Sequence, residues 1–426
     1  MPADNRPNIL VVLTDQQRYD TISAHVNNFG VRTPAMDSLV RRGVTFSNAF
    51  CNNPICAPAR ASLQVGLYPS RCGVPCNSSP PLSESLPTTA RRMQAVGYQT
   101  VYHGKSHLKG DLKNYGFEVA YENSHDPSTL TETSRFWRNR DWIIHSRPFY
   151  QVVSFLDPHD IYFLDPEHED APAPSPFGNI DASDADRPIM RGYIPPRPNW
   201  SSGRWTYYRR FYKERVERVD AFIGELLAEL TCSGFASNTW VIFSTDHGDF
   251  GGEHGRPFKG LSLYDASMRI PLVVAPPETR RLGRNNTQED ARLKGSAAFV
   301  SDALASHIDI APTILDLAGV AADPALPGRS LLPAVRGQPL ADPDGLFFES
   351  TTNGKATPAL RAIRTREWKY ILASGGEEEM YHLAKDPWET RNLAGAAASA
   401  GTKTELRDKL LQHLTRERDP FLLNRA

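Results

Sequence analysis

Short apolar runs, each followed at once by a cluster of polar residues, recur along this chain. Residues 8–13 lead into Thr14-Asp15-Gln16-Gln17, and 98–102 lead into His103-Gly104-Lys105-Ser106-His107. In the same way 149–155 precede Asp157-Pro158-His159-Asp160, and 240–244 precede Asp246-His247-Gly248-Asp249. Each run has the length of a strand and is enriched in β-branched or aromatic residues. Helical spacing at 34–42, and at 86–96 with Gly97 after its end, fills intervals between them. Alternation of this kind predicts an α/β fold with a mostly parallel central sheet sandwiched by helices. Parallel strands line a ligand crevice with their carboxyl ends, so the four polar clusters are expected to meet in one place.

The longest helical stripe covers about 207–230, where Tyr208, Phe211, Tyr212, Val216, Val219, Phe222, Ile223, Leu226, Leu227 and Leu230 recur at helical spacing. That is the pattern of a face packed on a sheet. The Pro-, Asp- and Ala-rich stretch 165–199 reads as a surface excursion of the kind that borders a substrate entrance. Residues 306–319 fit a further helix, with Pro312 in its first turn and Gly319 past its end. After Pro327-Gly328 the pattern shifts to short strands at 345–350, 359–365, 368–373 and 379–383, then a terminal helix over 402–416. The expected organisation is a large domain, 1–335, and a smaller C-terminal α+β subdomain, 336–426, containing an antiparallel sheet.

Composition narrows the class. The chain has 426 residues, of which 40% are hydrophobic and 23% charged, the balance of a soluble protein with a real core. A formal net charge of -1 offers no global attraction to nucleic acid or an anionic membrane, so any preference for anions must be local. No run reaches transmembrane length, and the first apolar run is shorter than a signal-peptide core and lacks a cleavage site. A cytoplasmic protein is the expectation. Five cysteines (51, 56, 72, 76 and 232) are an odd number, which argues against a secreted disulfide framework, and Cys72 and Cys76 lack a second pair at zinc spacing.

Asp15 and Asp246 stand at two strand ends, beside the neutral donors Gln16 and His247. Aspartates after strands commonly cap the next helix. As a pair with two neutral donors they also make a divalent-cation site, and the oxygen majority favours Ca²⁺ or Mg²⁺. The cationic candidates are Lys105, His107, His159 and Lys259, the last in the Gly-rich segment 251–260. They suit a tetrahedral oxyanion whose charge needs offsetting and whose leaving oxygen needs a proton. Between the first two clusters lies Cys56-Ala57-Pro58-Ala59-Arg60, in which an Arg one helical turn after the Cys sets a permanent positive charge beside the sulfur.

This segment resembles the Cys-x-Pro-x-Arg signature of the type I sulfatases, members of the alkaline phosphatase-like superfamily. Residues 97–107 resemble that family's second signature, Gly-Tyr-x-Thr-x-x-x-Gly-Lys-x-His. Residues 8–16, Asp157-Pro158-His159, 245–248, Lys259-Gly260, 309–313 and 381–393 also look like family blocks, in family order. The resemblance implies that a formylglycine-generating maturation enzyme oxidises Cys56 to formylglycine. The hydrate would be held by Asp15, Gln16, Asp246 and His247 through one divalent cation, Ca²⁺ first, with Mg²⁺ or Mn²⁺ as alternatives. Asp246 would activate one hydroxyl for attack at sulfur, and Arg60 and Lys105 would hold the hydrate. Lys105 and Lys259 would grip the sulfate. His159 would protonate the leaving oxygen, and His107 would deprotonate the second hydroxyl so that sulfate is expelled. The implied substrate is a sugar, aryl or small alkyl sulfate ester.

Three positions depart from the common family pattern. Gln16 stands where many members have Asp, His247 where Asn is frequent, and Ser106 where a Trp is common. The first two keep a phosphonate monoester hydrolase or phosphodiesterase of the same superfamily open as an alternative. A non-catalytic anion-binding protein on the same scaffold is the remote one. Ser106 could serve structure or substrate. Pocket walls are expected from 111–145, with Trp137, Arg138, Arg140 and Trp142, and from 165–205.

Overall fold

A strand covered on both faces shows no polar side to water, and β1 (Asn8–Asp15) is buried along its whole length, as its unbroken apolar run requires. The computed structural model describes residues 6–139, 147–278, 299–351 and 359–425. The main sheet adds β2 (Val44–Phe50), β3 (Gln99–Gly104), β4 (Val119–Glu122), β5 (Phe149–Pro158), β6 (Thr239–Thr245), β7 (Leu272–Ala275) and β8 (Phe299–Ser306). Their order is β4-β3-β5-β1-β6-β7-β2-β8. All pairings are parallel except those of β7, which runs antiparallel to both β6 and β2. The four strands expected from the polar clusters are therefore adjacent, and their carboxyl ends lie side by side.

Alternation within β1 shows the sandwich. Leu10 and Val12 join the core formed with the helices Pro34–Arg42, Asp126–Arg138 and Ser202–Cys232. Ile9, Val11 and Leu13 face the opposite core, which includes Ala57, Ala61 and Leu63 from the helix Cys56–Val65 and Ile314 from Ile310–Leu317. At the end of β3, Gly104 has φ +100, and a Cβ there would lie 2.0 Å from the Ser154 carbonyl oxygen. Only glycine lets the chain pass that close to β5 and turn Lys105 into the crevice.

Several boundaries differ from the sequence expectation. The helix at 86–96 is Thr89–Ala95, because the Thr88 side chain caps it by accepting from the Arg91 backbone N–H. The helix expected from 306 starts at Ile310, since β8 runs on to Ser306, which pairs with Phe50. Strands β2, β4, β7 and β8 escaped the sequence reading; β4 and β7 have four residues each, too few to show a period.

Two expected pocket walls are corrected. Trp137 is buried and donates its indole N–H to Gln151 Oε1 at 2.8 Å, and Arg138 pairs with Glu229 on the helix Ser202–Cys232. Both belong to a helix packed on the sheet, while Arg140 and Trp142 lie outside the described residues. The stretch 165–199 is less superficial than its composition suggests. It holds the helix Pro188–Tyr193, with Ile189 and Met190 fully buried, and a buried Arg187 that contacts His254 Nδ1 at 2.6 Å. It is tucked against the loop that carries Lys259.

The C-terminal sheet, order β12-β11-β10-β9, is antiparallel: β9 (Leu346–Ser350), β10 (Leu360–Arg364), β11 (Trp368–Ala373) and β12 (Glu378–His382). The helix Ala400–Glu417 covers one face of it through Leu406, Leu410 and Leu414. This sheet buttresses the loop after Lys259. Lys369 on β11 is fully buried, donates to the Leu263 carbonyl at 3.0 Å and lies 2.6 Å from Glu389 Oε1; it also pairs with Asp265. On β12, Glu379 accepts from the Ile189 and Met190 N–H groups and from the hydroxyls of Tyr264 and Tyr381. No helix among the described residues is long and apolar enough to cross a membrane.

Removing the cation from a buried ion pair strands the carboxylates. Lys369→Met should therefore lower stability by about 3–5 kcal/mol, read from urea unfolding. A midpoint equal to wild type would show that Asp265 and Glu389 do not depend on it.

Candidate active site

Cys56 is the first residue of the helix Cys56–Val65, with Pro58 in the first turn, where its missing N–H costs nothing. The Ala57 N–H at this terminus is satisfied by Asn77 Oδ1 at 3.0 Å. A helix N-terminus presents unpaired N–H groups and a partial positive charge, which suits an anionic group at position 56. One turn on, Arg60 is buried and crosses the strand ends. Its Nε donates to Asp246 Oδ2 at 2.8 Å, one terminal nitrogen to Asp15 Oδ2 at 3.0 Å, and the other to Ser154 Oγ at 2.8 Å and the Lys105 carbonyl at 2.6 Å. Lys105 Nζ reaches Asp15 Oδ2 at 2.6 Å. Each carboxylate is thus gripped by Oδ2; Asp15 Oδ1 lies 3.8 Å from Cys56 Sγ, and Asp246 Oδ1 accepts from the Gln16 and His247 backbone N–H groups at 3.0 and 2.9 Å and lies 3.6 Å from His247 Nε2.

These groups fit a divalent cation. Asp15, Cys56, Asp246 and His247 are buried, with ligand atoms all within 4.8 Å of one another. His247 Nδ1 lies 2.9 Å from the Gly248 carbonyl, which can only accept, so Nδ1 carries a proton and Nε2, 3.3 Å from Cys56 Sγ, is the ring nitrogen turned to the cluster. Gln16 adds the clearest sign. Its Nε2 donates to Asp249 Oδ2 at 2.8 Å, while Oε1 is buried with no hydrogen-bond partner. A buried, orphaned amide oxygen is costly unless something electropositive meets it.

Lys259 closes the site from the Gly-rich loop, its Nζ 2.7 Å from Cys56 Sγ and 3.1 Å from His247 Nε2. His107, at φ +54, hydrogen-bonds the Cys56 sulfur, and its Nδ1 is buried with no partner. His159 follows β5, its ring 5.0 Å from that of Tyr162. Tyr162 stacks on Phe258 at 4.7 Å, and Lys259 Nζ sits 6.0 Å over its face. Tyr162 and Phe163 are exposed and form an aromatic rim.

The charges set the ionisation. Burial and Asp15 push the Cys56 thiol up, but Lys259, His247 and the hydrogen bond from His107 outweigh them and hold it well below the ordinary thiol value. Burial likewise pushes Asp15 up, and Lys105, Lys259, Arg60 and His159 together bring it well below the carboxylate range. Burial disfavours the Lys259 ammonium, yet Cys56, Asp15, Tyr162 and Asp246 keep it above its usual value. Position 56 is built to hold negative charge.

Of the ten residues singled out from the sequence, Cys56 and Arg60 lie on the helix Cys56–Val65, and the other eight lie at the ends of β1, β3, β5 and β6 or in the loops that follow them. Ser106 belongs to structure: it is buried, bonds Glu122 and accepts from the Leu108 N–H at 3.2 Å. Ser154 and Tyr162 were missed. Ser154 is an unremarkable position within an apolar run, and only its place beside Arg60 gives it a task.

A family model described as Sulfatase matches residues 7–320, and one described as N-sulphoglucosamine sulphohydrolase, C-terminal, matches 252–416. A choline-sulfatase of Rhizobium meliloti is 28% identical, the alignment covering 96% of this chain and 87% of that protein. A Delta 4,5-hexuronate-2-O-sulfatase of Bacteroides thetaiotaomicron is 27% identical, covering 98% and 91%. The solved structure of a 2-O GAG sulfatase superposes with a TM-score of 0.82 at 25% identity, over 98% of this chain and 93% of that one. The first family match spans well over half the chain and contains every strand end that meets at Cys56: the chain belongs to the sulfatase family, whose members hydrolyse sulfuric esters.

Proposed function

We propose that this enzyme cleaves a sugar, aryl or small alkyl sulfate, with residue 56 acting as formylglycine beside a divalent cation. The observation that carries the reading is the convergence on one atom. Lys259 Nζ, His247 Nε2 and Asp15 Oδ1 surround Cys56 Sγ at 2.7, 3.3 and 3.8 Å. Sγ marks the place of the oxygen nucleophile that the hydrated aldehyde, made by a separate maturation enzyme, would supply. A bound cation supplies Lewis acidity toward a sulfate oxygen and eases loss of a proton from that nucleophile. Asp15, Gln16, Asp246 and His247 would hold it together with residue 56. Calcium is the ion proposed, because oxygen donors outnumber the single imidazole.

The remaining steps belong to the chain's own groups. Asp246 is the base for the proton of residue 56. Lys105 and Lys259 offset charge on the sulfate oxygens in a site closed to water on its strand side, where such charges act strongly. His159, beside the exposed rim, donates a proton to the departing ester oxygen. His107, hydrogen-bonded to residue 56, takes a proton from it as sulfate leaves. Relatives named for choline, hexuronate and glycosaminoglycan sulfates support the substrate range, and the stacked Tyr162 and Phe258 offer a ring face to sugar, aryl or alkyl-ammonium groups alike. Gln16 and His247 in the donor set favour a second reading, phosphonate monoester hydrolysis. Turnover of matched aryl sulfate and aryl phosphonate esters separates the two.

Four outcomes are expected. Cys56→Ala should reduce turnover to background with an unchanged melting curve; activity retained in that variant would end the mechanism. In the tryptic peptide 43–60 of active enzyme, mass spectrometry after thiol alkylation should show Cys51 alkylated and residue 56 as an aldehyde. His159→Asn should slow an alkyl sulfate by about 10²–10⁴-fold but spare an ester with a strongly acidic leaving group; equal losses on both would remove His159 from that role. Chelation should lower the melting temperature, since a cation at a hundred times its Kd stabilises by about 2.7 kcal/mol.

A further inference from the structure

Gln16 is an ambiguous donor. Its amide presents an oxygen or an NH₂ group on either side, and a cation tolerates only the oxygen. Something must decide which end faces inward, and the hydrogen bonds around Asp249 identify it. Asp249 is fully buried. Its Oδ1 accepts from Tyr208 Oη at 2.7 Å and from the Gly251 N–H at 2.6 Å, and its Oδ2 accepts from Gln16 Nε2 at 2.8 Å. Tyr208 has no freedom to reverse its bond. Its oxygen already accepts from the Phe258 N–H at 2.7 Å, so its single proton must go to Asp249.

We propose that Asp249 is a positioning residue that, as an acceptor only, draws the Gln16 NH₂ group to itself and so turns Oε1 toward the cation. The inference rests on the cation reading above. The orphaned Oε1 is the remaining end of an amide whose other end is taken. Gln16 and Asp249 thus divide between them what one carboxylate at position 16 would do. The amide gives the oxygen donor, and the negative charge sits one residue further out. Through Tyr208 the same carboxylate is tied to Phe258, the neighbour of Lys259.

The hydrogen-bond logic predicts an exchange of sites. In Asp249→Asn the Oδ1 still accepts from Tyr208 and Gly251, which leaves the new NH₂ group facing Gln16. The Gln16 amide must then flip and present its own NH₂ to the cation. Adding Gln16→Glu repairs this, because a carboxylate can accept from the introduced amide and still offer an oxygen inward, with net charge unchanged. Gln16→Glu alone sets two carboxylates against each other.

The test is Ca²⁺ and Mn²⁺ affinity by titration calorimetry on the full-length protein, with melting temperatures of the chelated forms as a check on folding. D249N should bind about 10–100-fold more weakly than wild type, and Q16E/D249N should recover most of that loss. Chelated Q16E should melt below the double variant. D249N binding as tightly as wild type, or a double variant no tighter than D249N, overturns the proposal. If D249N is insoluble, the double variant decides alone: soluble and cation-binding supports it, otherwise it falls. Wild type that binds neither ion overturns the cation reading itself, and this inference with it.

Discussion

Two carboxylates at neighbouring strand ends repel each other, and burial makes that repulsion severe. Asp15 and Asp246 are placed so by the parallel register of β1 and β6, which pairs Thr14 with Thr245. The buried Arg60 guanidinium between them is the contact on which the site depends. A planar fork can bond two acceptors at fixed angles, which an ammonium cannot. By engaging Oδ2 of each carboxylate, Arg60 offsets one of the pair's two charges, Lys105 offsets the other at Asp15, and the Gln16 and His247 backbone N–H groups hold Asp246 Oδ1. Because Arg60 sits one turn after Cys56, the same helix sets the spacing between position 56 and the two carboxylates. With Lys105 and Lys259 included, three permanent cations face two carboxylates, an excess of positive charge suited to a sulfate ester.

The second constraint is mechanical. Lys259 belongs to a Gly-rich loop with little regular structure of its own, yet its Nζ must hold position within hydrogen-bond distance of residue 56. The loop is pinned from two sides. Asp249 and Tyr208 hold its start and Phe258, and the C-terminal sheet holds its continuation through Lys369 and Glu379. The small sheet therefore bears on the site without touching residue 56, by holding the segment that does. Such support is what allows a loop lysine to act as a placed charge rather than a solvated one.

Much of the site was legible because its chemistry is local in the chain. An apolar run followed by Asp15, by Lys105 and His107, by His159, or by Asp246 and His247 announces a strand end carrying function, and parallel topology brings strand ends together. Gln16 and His247 could be recognised as unusual, but not how their side chains are turned. Which way the amide and the imidazole point follows from their hydrogen bonds to Asp249 and the Gly248 carbonyl. Trp137 and Arg138 show the opposite failure. Their residue types suggested a binding wall, whereas Trp137 is buried in a helix packed on the sheet and Arg138, exposed on the same helix, pairs with Glu229.

What the amino-acid order determines by itself is the set of strands with unbroken apolar character, the helix opened by Cys56 with Arg60 on its face, and the residues that end each strand. Those follow from periodicity and from bonds between near neighbours, which a sequence carries directly. Only the tertiary structure decided which strand ends adjoin, that Arg60 reaches both Asp15 and Asp246, and that Lys259, some two hundred positions away, meets Cys56. It alone left Gln16 Oε1 without a partner in a buried crevice. Hydrogen-bond direction and desolvation arise from atoms brought close by folding, and no local pattern in the chain encodes them.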